Sequence, residues 1–306
     1  QGRDHQAKRL EVSYDFFFGG SSRLNYPDSE KTLAAYKVIH DVAKEYGMGF
    51  GASIVSPLDT GGGFARTHEK TGKTYQYREG RIHPDGSYDV DMVLQTQWTN
   101  NKGPIALTVD KVLVYAFCEE RIGDTPFYAV DPEAIMDISD TAHLKTDPES
   151  IHVTFNGYGS GNARVFGQTS TPGKDRCLAV IVYRTPELDY FSEEALPYMK
   201  SVIDLHAEAG ITYDAFYSDE MHIQFDWDLF NHFGHDKEIN TRYLTESLAR
   251  EYADRFGKSY EDFPKYLLYF SYHQHDFLEG AEGLLPNQHV FGKDETGIYE
   301  TWLFRK

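Results

Sequence analysis

The feature that most constrains this chain is a change of periodicity. From Thr67 to about Gly173 no apolar repeat sustains helical spacing beyond one or two turns, whereas both flanks alternate strand-like and helix-like segments. Within the middle stretch, residues 73–77, 88–94, 105–118, 151–155 and 163–167 are short β-rich runs. Pro84-Asp85-Gly86, Asn100-Asn101-Lys102-Gly103 and Asn156-Gly157 punctuate them as turns. The pattern predicts a β-rich insertion of roughly 100 residues, large enough to form its own sheet layer.

The flanks read differently. Residues 10–18 are rich in β formers and end at Gly19-Gly20. Asp28 or Ser29 can cap a helix running to about Tyr46, with Leu33, Tyr36, Ile39, Val42, Ala43 and Tyr46 on its apolar face and Gly47 at its end. A strand over 49–55 follows, and residues 56–63, with three consecutive glycines, read as a loop. After Asp175 the rhythm returns. A continuous apolar strand spans 177–183, as parallel strands buried on both faces do. Ser192-Glu193-Glu194 opens a helix with Ala195, Met199, Val202, Ile203 and His206 inward, and Gly210 closes it. A strand covers 211–217, Asn240 or Thr241 caps a long helix ending at Gly257, residues 260–277 form another helix, and residues 300–306 read as the middle of one.

A strand joined through a helix to the next strand implies a parallel pair with a right-handed crossover. The expected architecture is therefore an α/β fold, a (β/α)8-type (TIM-like) barrel, complete or partial, with a large β-rich insertion after the second strand. Residues 1–66 hold the first βα units, 67–173 the insertion and 174–306 the continuation of the barrel.

Composition narrows the partners. Lys and Arg number 30 against 48 Asp and Glu, a formal net charge of −18. That excess repels phosphate backbones and excludes general nucleic-acid binding. No run approaches the ~20 apolar residues of a membrane helix. Aromatic residues make up 15% of the chain, 22 of them Tyr, which suits surfaces that stack on sugar rings as well as cores. Cys118 and Cys177 are too few for a disulfide scaffold; they pair once or stay as thiols. Low cysteine and a first residue that is not Met fit a bacterial exported protein, extracellular or periplasmic, and nearly as well a trimmed cytosolic one.

In α/β sheets, ligands bind beyond the C-terminal strand ends. The residues to search are therefore Tyr14-Asp15, the Pro57 to Phe64 loop, Tyr183-Arg184 and Ser218-Asp219-Glu220. Glu220, at the end of an apolar strand and beside Tyr217, Met221 and Trp227, is the leading candidate for a general acid of raised pKa. Asp219 points the other way along the strand, and Asp15 is the second strand-end carboxylate, suited to activate water or attack carbon. Tyr14, Arg66, Arg184, Tyr217, His222 and Trp227 are the substrate-binding candidates. His232, His235 and Asp236 carry metal-ligand chemistry without the spacing of a strong motif. No cofactor is called for, a divalent metal being the open alternative. The three glycines lack phosphate-loop spacing, and no GxSxG elbow is present.

The strand ending before a glycine-rich loop, the run Leu188-Asp189-Tyr190-Phe191-Ser192-Glu193-Glu194-Ala195 and the later Phe216-Tyr217-Ser218-Asp219-Glu220 resemble large bacterial (β/α)8 glycoside hydrolases of the α-L-rhamnosidase-like type. Tyr252-Ala253-Asp254-Arg255-Phe256-Gly257 and Phe263-Pro264-Lys265-Tyr266-Leu267 are similar to helical segments that follow in them. The resemblance covers residues 10–66 and 178–270. It implies a catalytic acid at Glu220, more weakly Asp219, and a pocket wall at residues 61–64. Only about four of the eight barrel strands are visible, so the resemblance implies the N-terminal part of such an enzyme, truncated at the C-terminus.

The expected function is a glycoside hydrolase acting on an oligo- or polysaccharide, with acid/base catalysis by a carboxylate pair including Glu220. The alternatives are a non-catalytic carbohydrate-binding or scaffold fragment of a larger enzyme, and a metal-dependent lyase, isomerase or hydrolase using the late His/Asp cluster.

Overall fold

The computed structural model describes residues 7–12, 26–55, 57–69, 71–96, 108–147, 159–184, 188–218, 240–257, 263–270 and 289–305. In chain order the elements are β1 (Arg9–Val12), α1 (Glu30–Glu45), β2 (Gly49–Ala52), α2 (Pro57–Thr67), β3 (Lys73–Arg81), β4 (Ser87–Thr96), β5 (Thr108–Phe117), β6 (Glu120–Arg121), β7 (Tyr128–Ala129), β8 (Met136–Asp137), β9 (Ala142–Asp147), β10 (Gly159–Gln168), β11 (Arg176–Arg184), α3 (Ala195–Glu208), β12 (Ala215–Phe216), β13 (Asn240–Tyr243), α4 (Glu246–Phe256), α5 (Phe263–Tyr266), β14 (His289–Val290) and α6 (Glu295–Arg305). Among the described residues no helix is long and apolar enough to cross a membrane.

One part is a small α/β layer. Strand β2 pairs parallel with β1 on one side and with β12 on the other. Ser29 caps α1, its Oγ accepting from the Thr32 N–H at 3.3 Å. Glu30 in the first turn and Lys44 in the last complement the helix dipole. The helix buries Thr32, Tyr36, His40 and Ala43, while Val42 and Tyr46, expected inside, are exposed. The face is turned because His40 reaches inward to the Thr212 hydroxyl at 3.1 Å. On α3 the buried residues are Ala195, Tyr198, Val202 and His206. Tyr36, Phe50, Ile54 and Phe64 are fully buried in the core of this layer, and each such side chain stabilises it by about 1.5–3 kcal/mol.

Residues 57–67, expected as loop in their first half, form α2 instead. Pro57 suits the first helical position, where no amide hydrogen bond is lost. Gly63 lets this helix approach α3: Phe64 packs edge-on to Tyr198 with centroids 5.4 Å apart, and Gly63 lies against the Tyr198 hydroxyl.

The other part is an antiparallel sandwich. A five-stranded sheet has the order β13-β3-β11-β5-β8, and a three-stranded sheet the order β4-β10-β9. Between them lie Tyr88, Val90, Val114, Val165, Ala179 and Ile181. The far face of the larger sheet, with Tyr77, Phe117, Leu178, Val180 and Val182, is covered by Leu267–Tyr269 and by Phe291 and Phe304. A fourth sheet has the order β14-β7-β6.

The expected (β/α)8 barrel is not what forms. The sheet of the α/β layer has three parallel strands, both sheets of the sandwich are antiparallel, and among the described residues no barrel closes. The misleading element is β11. Its apolar run suggests a parallel barrel strand, yet it pairs antiparallel with β3 and β5. It is apolar throughout because both faces of its sheet are covered: Cys177, Ala179, Ile181 and Tyr183 face the smaller sheet, and Leu178, Val180 and Val182 face the helical cover. Residues 240–243, expected to open a helix, form β13 against β3, and the helix α4 starts later, capped by Thr245.

Candidate functional site

The parallel layer ends on a shared edge. The Ser53 N–H donates to the Val12 carbonyl at 3.2 Å, and the Tyr217 N–H donates to the Ala52 carbonyl at 3.1 Å. Val12 and Phe216 thus flank Ala52 on opposite sides of β2. Tyr217 stands at this edge, 44% exposed. Glu220, Asp219, Asp15, Tyr14, His222 and Trp227 lie outside the described residues, as do His232, His235 and Asp236. Arg66 falls within α2, its side chain outside the described set. Arg184 does not join the parallel edge. It ends β11 in the antiparallel sheet, its Nε 3.1 Å from Asp110 Oδ1. Asp110 also receives Lys73 Nζ at 2.7 Å, and these cations hold its carboxyl below the usual range against the opposing effect of burial.

A second constellation, not anticipated from the sequence, lies at one end of the five-stranded sheet. Strand alternation places Tyr75 and Tyr77 of β3 on the helix-covered face, and Glu79 continues that parity. Tyr115 and Phe117 of β5 lead in the same way to Glu119, and Leu178 of the intervening β11 leads back to Arg176. Three adjacent strands therefore deliver two carboxylates and a guanidinium to one spot. His289, at the start of β14, closes it from above, its ring edge-on to Phe117 with centroids 5.8 Å apart.

The contacts are ordered. Arg176 Nη2 lies 3.2 Å from Glu79 Oε2 and 3.5 Å from Glu119 Oε1. The other oxygen of each carboxylate faces the imidazole: Glu119 Oε2 is 2.7 Å from His289 Nε2, and Glu79 Oε1 is 3.3 Å from Nδ1. The Glu79 side chain is only 8% exposed, and its Oε1 accepts no hydrogen bond. Burial pushes the Glu79 carboxyl up to about 7, opposed by His289 and Arg176. The hydrogen bond from His289 holds Glu119 below its ordinary value, helped by Arg176 and opposed by burial. Two carboxylates with pKa values driven apart form a pair suited to proton handling or to cation binding.

The signal that could have found this site is the inward charge: Glu79 follows Tyr75 and Tyr77 at even spacing on one face of the strand. What brings the partners together is tertiary, since His289 and Glu119 stand 170 positions apart. On the same face of the sheet, farther along, Tyr75, Tyr115, Lys111, Glu246 and Arg250 line a cleft of about 500 Å³.

Comparison of the chain with protein-family models, with curated proteins and with solved structures gave no match to any of them.

Proposed function

We propose that the chain is a glycoside hydrolase acting on an oligo- or polysaccharide, with Glu220 as general acid and Asp15 as the second carboxylate. The observation that carries this reading is the shared edge of β1, β2 and β12. Val12 and Phe216 sit on either side of Ala52, two strand spacings or ~10 Å apart. The chain leaving Val12 soon reaches Tyr14-Asp15, and the chain leaving Phe216 soon reaches Ser218-Asp219-Glu220. Strand ends at that distance suit launching a pair of carboxyl groups ~5 Å apart for retaining or ~6.5–9.5 Å apart for inverting hydrolysis. The exposed ring of Tyr217 at the same edge offers a stacking surface for a sugar.

The resemblance of residues 216–220 to the strand-end Asp-Glu pair of α-L-rhamnosidase-like enzymes is a second support, and the barrel of those enzymes is not part of the proposal. The test is digestion of pooled plant and algal polysaccharides, read as released reducing ends, with wild type and Glu220→Gln. Loss of at least ~100-fold in turnover, with unchanged circular dichroism, is expected of a general acid. Near-wild-type turnover removes Glu220 from the role. Oligosaccharide binding without product release makes the chain a carbohydrate-binding module instead.

A further inference from the structure

We propose that Glu79, Glu119 and His289 form a binding site for a divalent transition-metal cation of the Zn²⁺ type. One ligand atom from each residue lies within 4.8 Å of the other two. A Zn²⁺ ion bonds imidazole nitrogen and carboxylate oxygen at ~2.0–2.2 Å, which sets its ligand atoms ~3.5 Å apart in a tetrahedron. Small side-chain rotations close the triangle to that size. One nitrogen with two carboxylate oxygens is a donor set of borderline character, suited to Zn²⁺ or Mn²⁺ more than to the all-oxygen shell that Ca²⁺ takes.

The contacts around the triangle leave a place for positive charge. A neutral imidazole carries one N–H. His289 nevertheless presents both nitrogens to carboxylates, Nε2 at 2.7 Å from Glu119 and Nδ1 at 3.3 Å from Glu79. A neutral ring that donates Nε2–H to Glu119 has no second N–H to offer Glu79 Oε1. That oxygen belongs to a side chain more than nine-tenths buried, and it accepts no hydrogen bond. A buried oxygen left in this state is costly, and a cation bound to Glu79 Oε1 satisfies it. Glu119 Oε2, 2.7 Å from Nε2, lies close enough to supply the third ligand atom in place of that hydrogen bond.

Arg176 fits this arrangement. It holds Glu79 Oε2 and Glu119 Oε1, the outward oxygen of each carboxylate, so the inward oxygens are the ones aimed at the imidazole. Its charge offsets one of the two carboxylates, and the triangle keeps the net negative charge a cation needs.

The experiment strips the full chain with EDTA, then titrates Zn²⁺ and, separately, Mn²⁺ by calorimetry, with metal content read by mass spectrometry after desalting. Melting curves with and without each metal accompany the titration. The expected result is one bound ion per chain, a melting midpoint raised by metal, and affinity lowered roughly 10- to 100-fold or more in His289→Ala and in Glu79→Gln. Glu79→Gln keeps the side-chain shape, so it retains the fold where loss of His289 loosens β14. Circular dichroism of each stripped variant establishes that the fold is intact. Metal binding with equal affinity in wild type and Glu79→Gln assigns the ion to other histidines of the chain and overturns the proposal. Absence of binding by the wild type overturns it too.

Discussion

The Tyr198 hydroxyl occupies the space that a side chain on Gly63 would need: a Cβ there would lie 2.0 Å from Tyr198 Oη and 3.2 Å from Asp28 Oδ1. The Tyr198 ring is nearly buried and set edge-on to both Phe64 and His68, so it has little room to swing aside. Two effects compete in Gly63→Ala. Alanine is better than glycine in a helix by ~1 kcal/mol, and overpacking costs about 1–3 kcal/mol. The second wins, so the variant unfolds at lower urea concentration than wild type. Adding Tyr198→Phe removes the clashing oxygen and recovers part of the loss, with a coupling of ~0.5–3 kcal/mol in the double-mutant cycle. A Gly63→Ala protein as stable as wild type would refute the close packing of α2 on α3.

Thr245 ties α4 to the rest of the chain through one oxygen. Its hydroxyl donates to the buried Asp189 Oδ1 at 2.9 Å and accepts from the Leu248 N–H at 3.2 Å, capping the helix. Thr245→Val keeps the shape and removes both bonds. Loss of a buried partner costs about 1–3 kcal/mol and loss of the cap ~1 kcal/mol. The expected variant has a lower denaturation midpoint and faster amide exchange in the first turn of α4. Unchanged exchange there would mean that Thr245 does not cap the helix.

Much of the local structure can be read from sequence, and the pairing cannot. Ser29 and Gly47 mark the ends of α1, and Pro84-Asp85-Gly86 marks the turn between β3 and β4, because caps and turns are decided within a few residues. Two errors share one physical origin. An apolar run such as 177–183 records only that both faces are covered, and parallel and antiparallel sheets can each achieve that. The three glycines at 61–63 signal freedom when read locally, but Gly63 marks a close approach, which depends on where Tyr198 sits. At the Glu79 cluster the parity of charges within each strand is legible. The order β3-β11-β5 that sets Glu79, Arg176 and Glu119 side by side comes only from tertiary pairing.

The α/β layer carries a buried histidine whose titration should be visible in stability. His206 is fully buried, with Nε2 donating to the Pro27 carbonyl at 2.7 Å and Nδ1 accepting from the Tyr213 hydroxyl at 2.6 Å. Burial holds its pKa below the ordinary value, against the opposing effects of Pro27 and Asp28. The folded protein therefore takes up this proton at lower pH than the unfolded chain does. Between the two pKa values the unfolded state binds more protons, so stability rises with pH. The contribution is fully present above the unfolded value of ~6.5 and is lost as pH falls below it toward the folded value. Urea midpoints of wild type and His206→Gln, compared from pH 7.5 down to 5, should converge on acidification. A constant gap across that range would exclude His206 as the titrating group.

The two thiols offer a direct test of the sandwich. Cys118 is exposed and Cys177 buried, and both are free. Cys177 sits in β11 between the two sheets, and burial pushes its thiol up to about 12, so at neutral pH the reactive thiolate is essentially absent. Ellman's reagent should therefore modify one thiol per chain rapidly in the native protein and two in concentrated guanidinium. The slow thiol reacts only as fast as β11 becomes exposed, so its rate should rise with urea in step with unfolding. Two rapid thiols under native conditions would remove β11 from the centre of the five-stranded sheet. The Cys118→Ser variant then identifies the residue, since the native protein should lose its rapid phase and keep the slow one.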